Sequence, residues 1–135
     1  MASTYLMIKP EAVEAGIHGR IIDFILANGW KIKRMKMFRF SGAQAAEFYG
    51  IHKDKPFFAD LMKYIVSGDV IGLELEKEGD VIALTRELVG ATNPSEARPG
   101  TIRYMYGTSL QANAVHASDS PASAEKELAI VFPED

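Results

Sequence analysis

The sequence predicts an α/β (α+β) fold: a four-stranded sheet, antiparallel or mixed, with helices packed on it in the split βαβ, ferredoxin-like arrangement. Three observations point there. Apolar runs of strand length alternate with stretches of helical period, the crossovers are long enough to hold helices, and residues 91–115 follow neither period. No linker or internal repeat divides residues 1–135, so the chain reads as one domain with a long, functional loop.

Residues 4–8, TYLMI, are an apolar run that stops at Lys9-Pro10, where proline cannot donate to a ladder; they read as a buried strand. GRIIDFILAN (19–28) sets Ile21, Ile22, Ile25 and Leu26 on one helical stripe, and Asn28-Gly29 offers a left-handed cap. WKIKRMKMFRF (30–40) alternates apolar and basic residues as a strand does. Its period slips near Arg34-Met35, which predicts a bulge or a change of face, and Lys31, Lys33, Lys36 and Arg39 read as a solvated face. Ser41 with Gln44 is a capping box for a helix through about Tyr49. Asp54-Lys55-Pro56 opens the next helix, PFFADLMKYIVS, with Pro56 in its first turn. DVIGLELE (69–76) reads as a third strand, and Asp80 caps a helix that ends at Gly90. Beyond the loop, Ser120-Pro121 starts a short helix ending near Glu127, and LAIVF (128–132) reads as the last strand.

Composition narrows the function classes. Fifteen basic against eighteen acidic residues give a formal charge of −3, which disfavours a broad basic face for nucleic acid but leaves room for a local anion pocket. The absence of cysteine removes disulfides, thiolate catalysis and cysteine-bound metal. No apolar stretch nears the ~20 residues of a membrane helix, and MASTYLMIKPEA lacks the features of a signal peptide. The expected location is the cytoplasm, with no membrane and no stable nucleic-acid partner.

The familiar phosphate-cradling motifs, GxxxxGK[ST] and GxGxxG, are both missing. Histidines at 18, 52 and 116 form no close pair, which points away from a histidine-rich zinc site. Ser118, Asp119 and Ser120 beside His116 invite comparison with a hydrolase triad, but such triads draw on distant segments, and GxSxG is absent. What remains is a dispersed set of anion-binding groups: Lys9 at a strand end, Arg86 on a helix, and Thr92, Arg98 and Arg103 in or beside the loop. Arginine's planar fork and lysine's point charge both suit phosphate oxygens. His116 sits in NAVHASDS (113–120), whose small and polar residues leave room around an imidazole. By pattern alone Tyr49, Phe57 and Leu61 belong to helical core stripes, although Pro56-Phe57-Phe58 must expose at least one aromatic. His18 reads as a surface-turn residue with no role.

Six stretches carry a resemblance: MIKPEA (7–12), GWKI (29–32), YGIHKDKPFF (49–58), LVGATNP (88–94), RPGTIR (98–103) and NAVHASDS (113–120), followed by SAEKEL (123–128). In that order and spacing the chain resembles the nucleoside diphosphate kinase family over essentially its whole length. The resemblance implies transfer of the γ-phosphoryl group of a nucleoside triphosphate, typically ATP, to nucleoside diphosphates such as GDP. The route is ping-pong, through a pros-phosphohistidine at His116, and it balances NTP and dNTP pools.

Glu127 is implied as the partner of the other ring nitrogen, with Ser120 supporting that carboxylate or the histidine's surroundings and Tyr49 packed beside His116 and Lys9. Lys9 is implied near the ribose and the transferred phosphate, Asn113 at the sugar, and Arg86, Thr92 and Arg103 at the phosphates. His52 matches a position that meets phosphates in some members. Phe57 and Leu110 match the pair that sandwiches the base, with Leu61 lining the pocket. Stacking needs no base-specific hydrogen bond and so tolerates any purine or pyrimidine.

The resemblance also implies Mg²⁺, held mainly by nucleotide phosphates and water because no Asp/Glu cluster forms a cage, and a homotetramer or homohexamer built from dimers. The chain departs from the family at Tyr104-Met105-Tyr106, where Gly-Asp-Phe is frequent, and at Glu11-Ala12 and Ala91; none of these is a group implied in the chemistry. The alternative is a catalytically silent nucleotide-binding or scaffold relative, whose usual sign, a lost histidine or phosphate arginine, is not seen here.

Overall fold

The computed structural model describes residues 2–50 and 53–133. Strand β1 (Ala2–Ile8) lies between β3 (Val70–Lys77) and β4 (Val115–Ala117), and β2 (Lys31–Phe38) flanks β3. The order β2-β3-β1-β4, antiparallel throughout, is the interleaved order of a split βαβ sheet. The register of β2 on β3 shifts between Ile32 and Arg34, just before the Arg34-Met35 slip in the sequence period.

Local chemistry sets the helices. Pro10 opens α1 (Pro10–Glu14), a short helix that the apolar pattern gives no hint of. Helix α2 (His18–Ala27) buries Ile21 and Ile25, and His18 is its first residue rather than part of a turn. At the start of α3 (Gly42–Phe48), Ser41 Oγ accepts the Gln44 N–H at 3.1 Å while Gln44 Oε1 accepts the Ser41 N–H at 3.1 Å, closing the capping box. Helix α4 (Phe58–Ile65) begins after Pro56, which lies in the turn before it rather than in its first turn. Asp80 caps α5 (Val81–Val89) by accepting the Ala83 N–H at 3.2 Å.

Two expectations fail in the C-terminal third. The loop 91–115 contains a 3₁₀ turn (Pro94–Glu96) and helix α6 (Ile102–Tyr106), each too short to register as a period. The expected strand 128–132 is instead the end of α7 (Pro121–Val131), and the fourth strand is β4, within the histidine segment. The reason is physical: α7 buries Ala124, Glu127 and Val131 along one stripe, and the buried glutamate hides that stripe from an apolar count.

Both faces of β1 are covered. Leu6 and Ile8 meet Ile21, Ile25 and Leu88 on one side; Tyr5 and Met7 meet Phe48, Ile65 and Val131 on the other. The helices thus pack on both faces of the sheet. Among the described residues no helix is long and apolar enough to cross a membrane.

Candidate active site

Strand alternation decides where the histidine points. In β4, Val115 and Ala117 face the core shared with α2 and α5, so His116 between them faces the other way, among Tyr5, Phe48 and Tyr49. The Phe48 ring meets the imidazole edge-on, with centroids 5.3 Å apart. Helix α7 presents Glu127 to the same place, and His116 Nε2 lies 2.9 Å from Glu127 Oε1. Ser118 Oγ donates to that oxygen at 2.6 Å. A carboxylate only accepts, so the ring donates through Nε2, and in the neutral imidazole Nδ1 is then the nitrogen with the free lone pair. Burial first, then the Glu127 charge, push the Tyr49 hydroxyl up; burial does the same to Tyr5, so both stay neutral.

Of the two roles implied for Ser120, direct support of the Glu127 carboxylate is not found, although Ser120 anchors the helix that carries Glu127. Ser120 Oγ accepts the Ser123 N–H at 3.0 Å and caps α7; the serine on Glu127 is Ser118. No local signal separates the two serines, because Ser118 and Ser120 both stand an even number of residues beyond His116. Asp119 accepts the Ser123 hydroxyl at 2.8 Å, which holds its carboxyl below the usual range.

In front of His116 is a cleft of about 430 Å³ whose walls include Lys9, Arg86, Thr92, Arg103 and Asn113. Lys9 Nζ donates to Asn113 Oδ1 at 2.8 Å and to the Gln111 carbonyl at 3.1 Å, and Asn113 Nδ2 donates to the Thr92 carbonyl at 2.9 Å. Burial, then the Arg103 charge, lower Lys9 to about 8, against the pull of Glu11.

Arg103 departs from the expectation of a purely phosphate-facing side chain. It is buried, and its guanidinium donates to the Gly90 carbonyl at 3.1 Å and the Val115 carbonyl at 2.9 Å, so it also staples the loop to β4. Burial, then the Arg86 charge, bring it down to about 10. Arg98, part of the dispersed cation set, lies outside this cleft: with Glu87 and Glu96 it lines a neighbouring hollow that the cleft meets at Arg86.

Phe57 and Leu110 line the cleft too, and with Leu61 they continue into an adjoining pocket of about 330 Å³. Phe57 is 48% exposed and Leu110 63%, so the pattern-based core reading fails for Phe57. Leu61 is half-buried, whereas Tyr49 is buried. His52 lies outside the described residues. Among the described residues no group of three or more His, Asp or Glu side chains could hold a metal. Asp119 is the carboxylate among the cleft residues. An imidazole fixed at one nitrogen, its other nitrogen available, beside a wall of cations has the chemistry of a nucleophile for a phosphorylated substrate.

Comparison with known proteins gives the same direction. The family model for nucleoside diphosphate kinase matches residues 2–135. The chain is 47% identical over 135 residues to a nucleoside diphosphate kinase of Heliobacterium modesticaldum, covering 100% of this chain and 90% of that one. To the Nitratiruptor sp. enzyme it is 48% identical over 132 residues, covering 98% and 96%. The solved Aquifex aeolicus nucleoside diphosphate kinase superposes with a TM-score of 0.92 at 44% identity, covering 96% of this chain and 94% of that one.

Proposed function

The chain belongs to the nucleoside diphosphate kinase family and has that family's phosphotransferase activity on nucleotides, and on that premise we propose that His116 itself carries the phosphoryl group. The carrying observation is the 2.9 Å contact of Nε2 with Glu127 at a cation-lined cleft. The Nδ1 lone pair attacks the γ-phosphorus of the donor, the bond to the bridging oxygen breaks, and the nucleoside diphosphate leaves with that electron pair. In the second half, a β-phosphate oxygen of the acceptor attacks the same phosphorus and the N–P electrons return to Nδ1. As the ring gains positive charge, Glu127 stabilises it through the Nε2 proton, and Ser118 holds the carboxylate in place.

Arg86, Thr92, Arg103 and Lys9 neutralise and position the phosphates, which is most of what phosphoryl transfer asks of a protein. Asn113 and Lys9 take the sugar, Tyr49 packs behind His116, and Phe57 and Leu110 sandwich the base above Leu61. His52 is assigned to the phosphates by resemblance alone. Mg²⁺ neutralises phosphate charge when bound; Asp119 has the oxygen chemistry to help hold it, with nucleotide oxygens and water supplying most of its shell. We assign the activity to one catalytic domain spanning residues 1–135, in a cytoplasmic homotetramer or homohexamer built from dimers.

Incubation with γ-labelled ATP and Mg²⁺, without acceptor, tests the reading. An acid-labile, base-stable adduct that GDP removes is expected, and none in His116→Ala. An acid-stable label, or an unchanged adduct in the variant, contradicts it.

A further inference from the structure

Ala114 has φ 75°, and it is the one non-glycine residue with positive φ among the described residues. An L-residue stays in that region only where its surroundings hold it there. The holders are visible. The Ala114 N–H donates to Glu11 Oε2 at 2.9 Å, and its carbonyl accepts the Lys9 N–H at 2.9 Å. The strained residue sits between Asn113, on the sugar side of the cleft, and the β4 strand that carries His116.

The second oxygen of Glu11 is also engaged: Oε1 accepts the Tyr64 hydroxyl. Tyr64 belongs to α4, the helix that bears Leu61 and follows Phe57 directly. Burial, then the Glu11 bond, push the Tyr64 hydroxyl up, so it remains a donor. One carboxylate therefore joins two parts of the cleft. Both groups that meet it are donors, and a side-chain amide, with a single acceptor oxygen, could not satisfy them in the same way.

We infer that Glu11 is a positioning residue that, through Tyr64 and Ala114, fixes the separation between the base-gripping helix and the sugar-binding segment. The inference rests on the proposed function. Glu11 touches none of the reacting atoms. Its loss lets the Asn113–Val115 backbone relax away from the strained conformation and unties α4, so nucleotide binding suffers more than the phosphoryl-transfer step.

The test is steady-state kinetics with GDP as the varied acceptor, with thermal melts to confirm folding, on the parent, Glu11→Ala, Glu11→Gln, Tyr64→Phe, and Glu11→Ala combined with Tyr64→Phe or Ala114→Gly. Glu11→Ala should raise KM about tenfold while kcat stays within about threefold. Tyr64→Phe should raise KM about threefold and add nothing further in the Glu11→Ala background. Ala114→Gly in that background should recover most of the lost KM, because glycine adopts the positive φ without strain. A carboxylate that merely contributed stability would show no such recovery. An unchanged KM in Glu11→Ala, or no recovery with Ala114→Gly, overturns the inference. Should Glu11→Ala fail to fold, Glu11→Gln and Tyr64→Phe decide: a raised KM in both supports the inference, and parental KM in both overturns it. If the parent formed no phosphohistidine, the proposed function would fall; an adduct in the parent with unresponsive KM removes only the Glu11 assignment.

Discussion

The side of the cleft proposed to hold the nucleophile and the side proposed to grip the base are built on opposite terms. Around His116 the contacts are closely fixed: Glu127 at 2.9 Å, Ser118 on the same carboxylate oxygen at 2.6 Å, and the Tyr5, Phe48 and Tyr49 rings, Phe48 nearest at 5.3 Å, with Glu127 and Ser118 both buried. On the base side, Phe57 and Leu110 present apolar surface that is about half exposed or more. On the proposed reading, position is held by hydrogen bonds where one ring nitrogen must meet one phosphorus atom, since small displacements there are costly. Where any base must be accepted, an apolar face suffices, because stacking asks for no particular donor or acceptor. Substitutions on the first side should therefore lower kcat, and those on the second should raise KM.

The largest expected effect is that of His116→Ala, which should reduce kcat/KM by at least about 10⁴-fold, as loss of a covalent nucleophile does; a smaller loss in a steady-state assay would move the nucleophile elsewhere. Arg103→Ala should lower kcat/KM by about 10²- to 10³-fold. It should also lower Tm by several degrees, because the guanidinium holds the Gly90 and Val115 carbonyls. A calorimetric scan matching the parent would show that those two bonds are dispensable. Glu127→Gln should cost about tenfold to a hundredfold in kcat with little change in KM; a pure KM effect would break the division between the two sides. Phe57→Ala should raise KM about tenfold for purine and pyrimidine acceptors alike, and a fall in kcat instead would blur it.

The smallest effect is in pH. Lys9 is held near 8 by burial and by Arg103, so it is cationic below that value and loses its charge above it. Phosphate binding should weaken in that direction, and kcat/KM, which reports the free enzyme, should decline as pH rises through about 8. Lys9→Arg, charged throughout, should lack that decline; a profile of the parent that stays flat through this range would contradict the role given to Lys9.

Most of the fold was legible where the chain's own periodicity carries it. TYLMI, the slipping strand at 30–40, the Ser41–Gln44 box and the Asp80 cap all lie within a residue or two of their expected places. The fourth strand was not legible. Its three residues are too few for an alternation to register, while the apolar LAIVF continues a helix whose inward stripe passes through a buried glutamate. The feature that obscured α7 also makes the site, since Glu127 is buried there to meet His116. Ser118 was overlooked for Ser120 because both stand an even number of residues beyond His116, and what separates them is where β4 ends and α7 begins. The staple made by Arg103, and the strained Ala114 held by Glu11, depend on contacts between segments far apart in sequence. No local pattern encodes these.

The most direct measurement is phosphorus NMR of the protein phosphorylated by ATP and held at alkaline pH, where the chemical shift separates the two ring positions of phosphohistidine. A single phosphoryl group on Nδ1 of His116 is expected, because Nε2 is committed to Glu127. Phosphate on Nε2, or on any residue other than His116, would contradict the assignment.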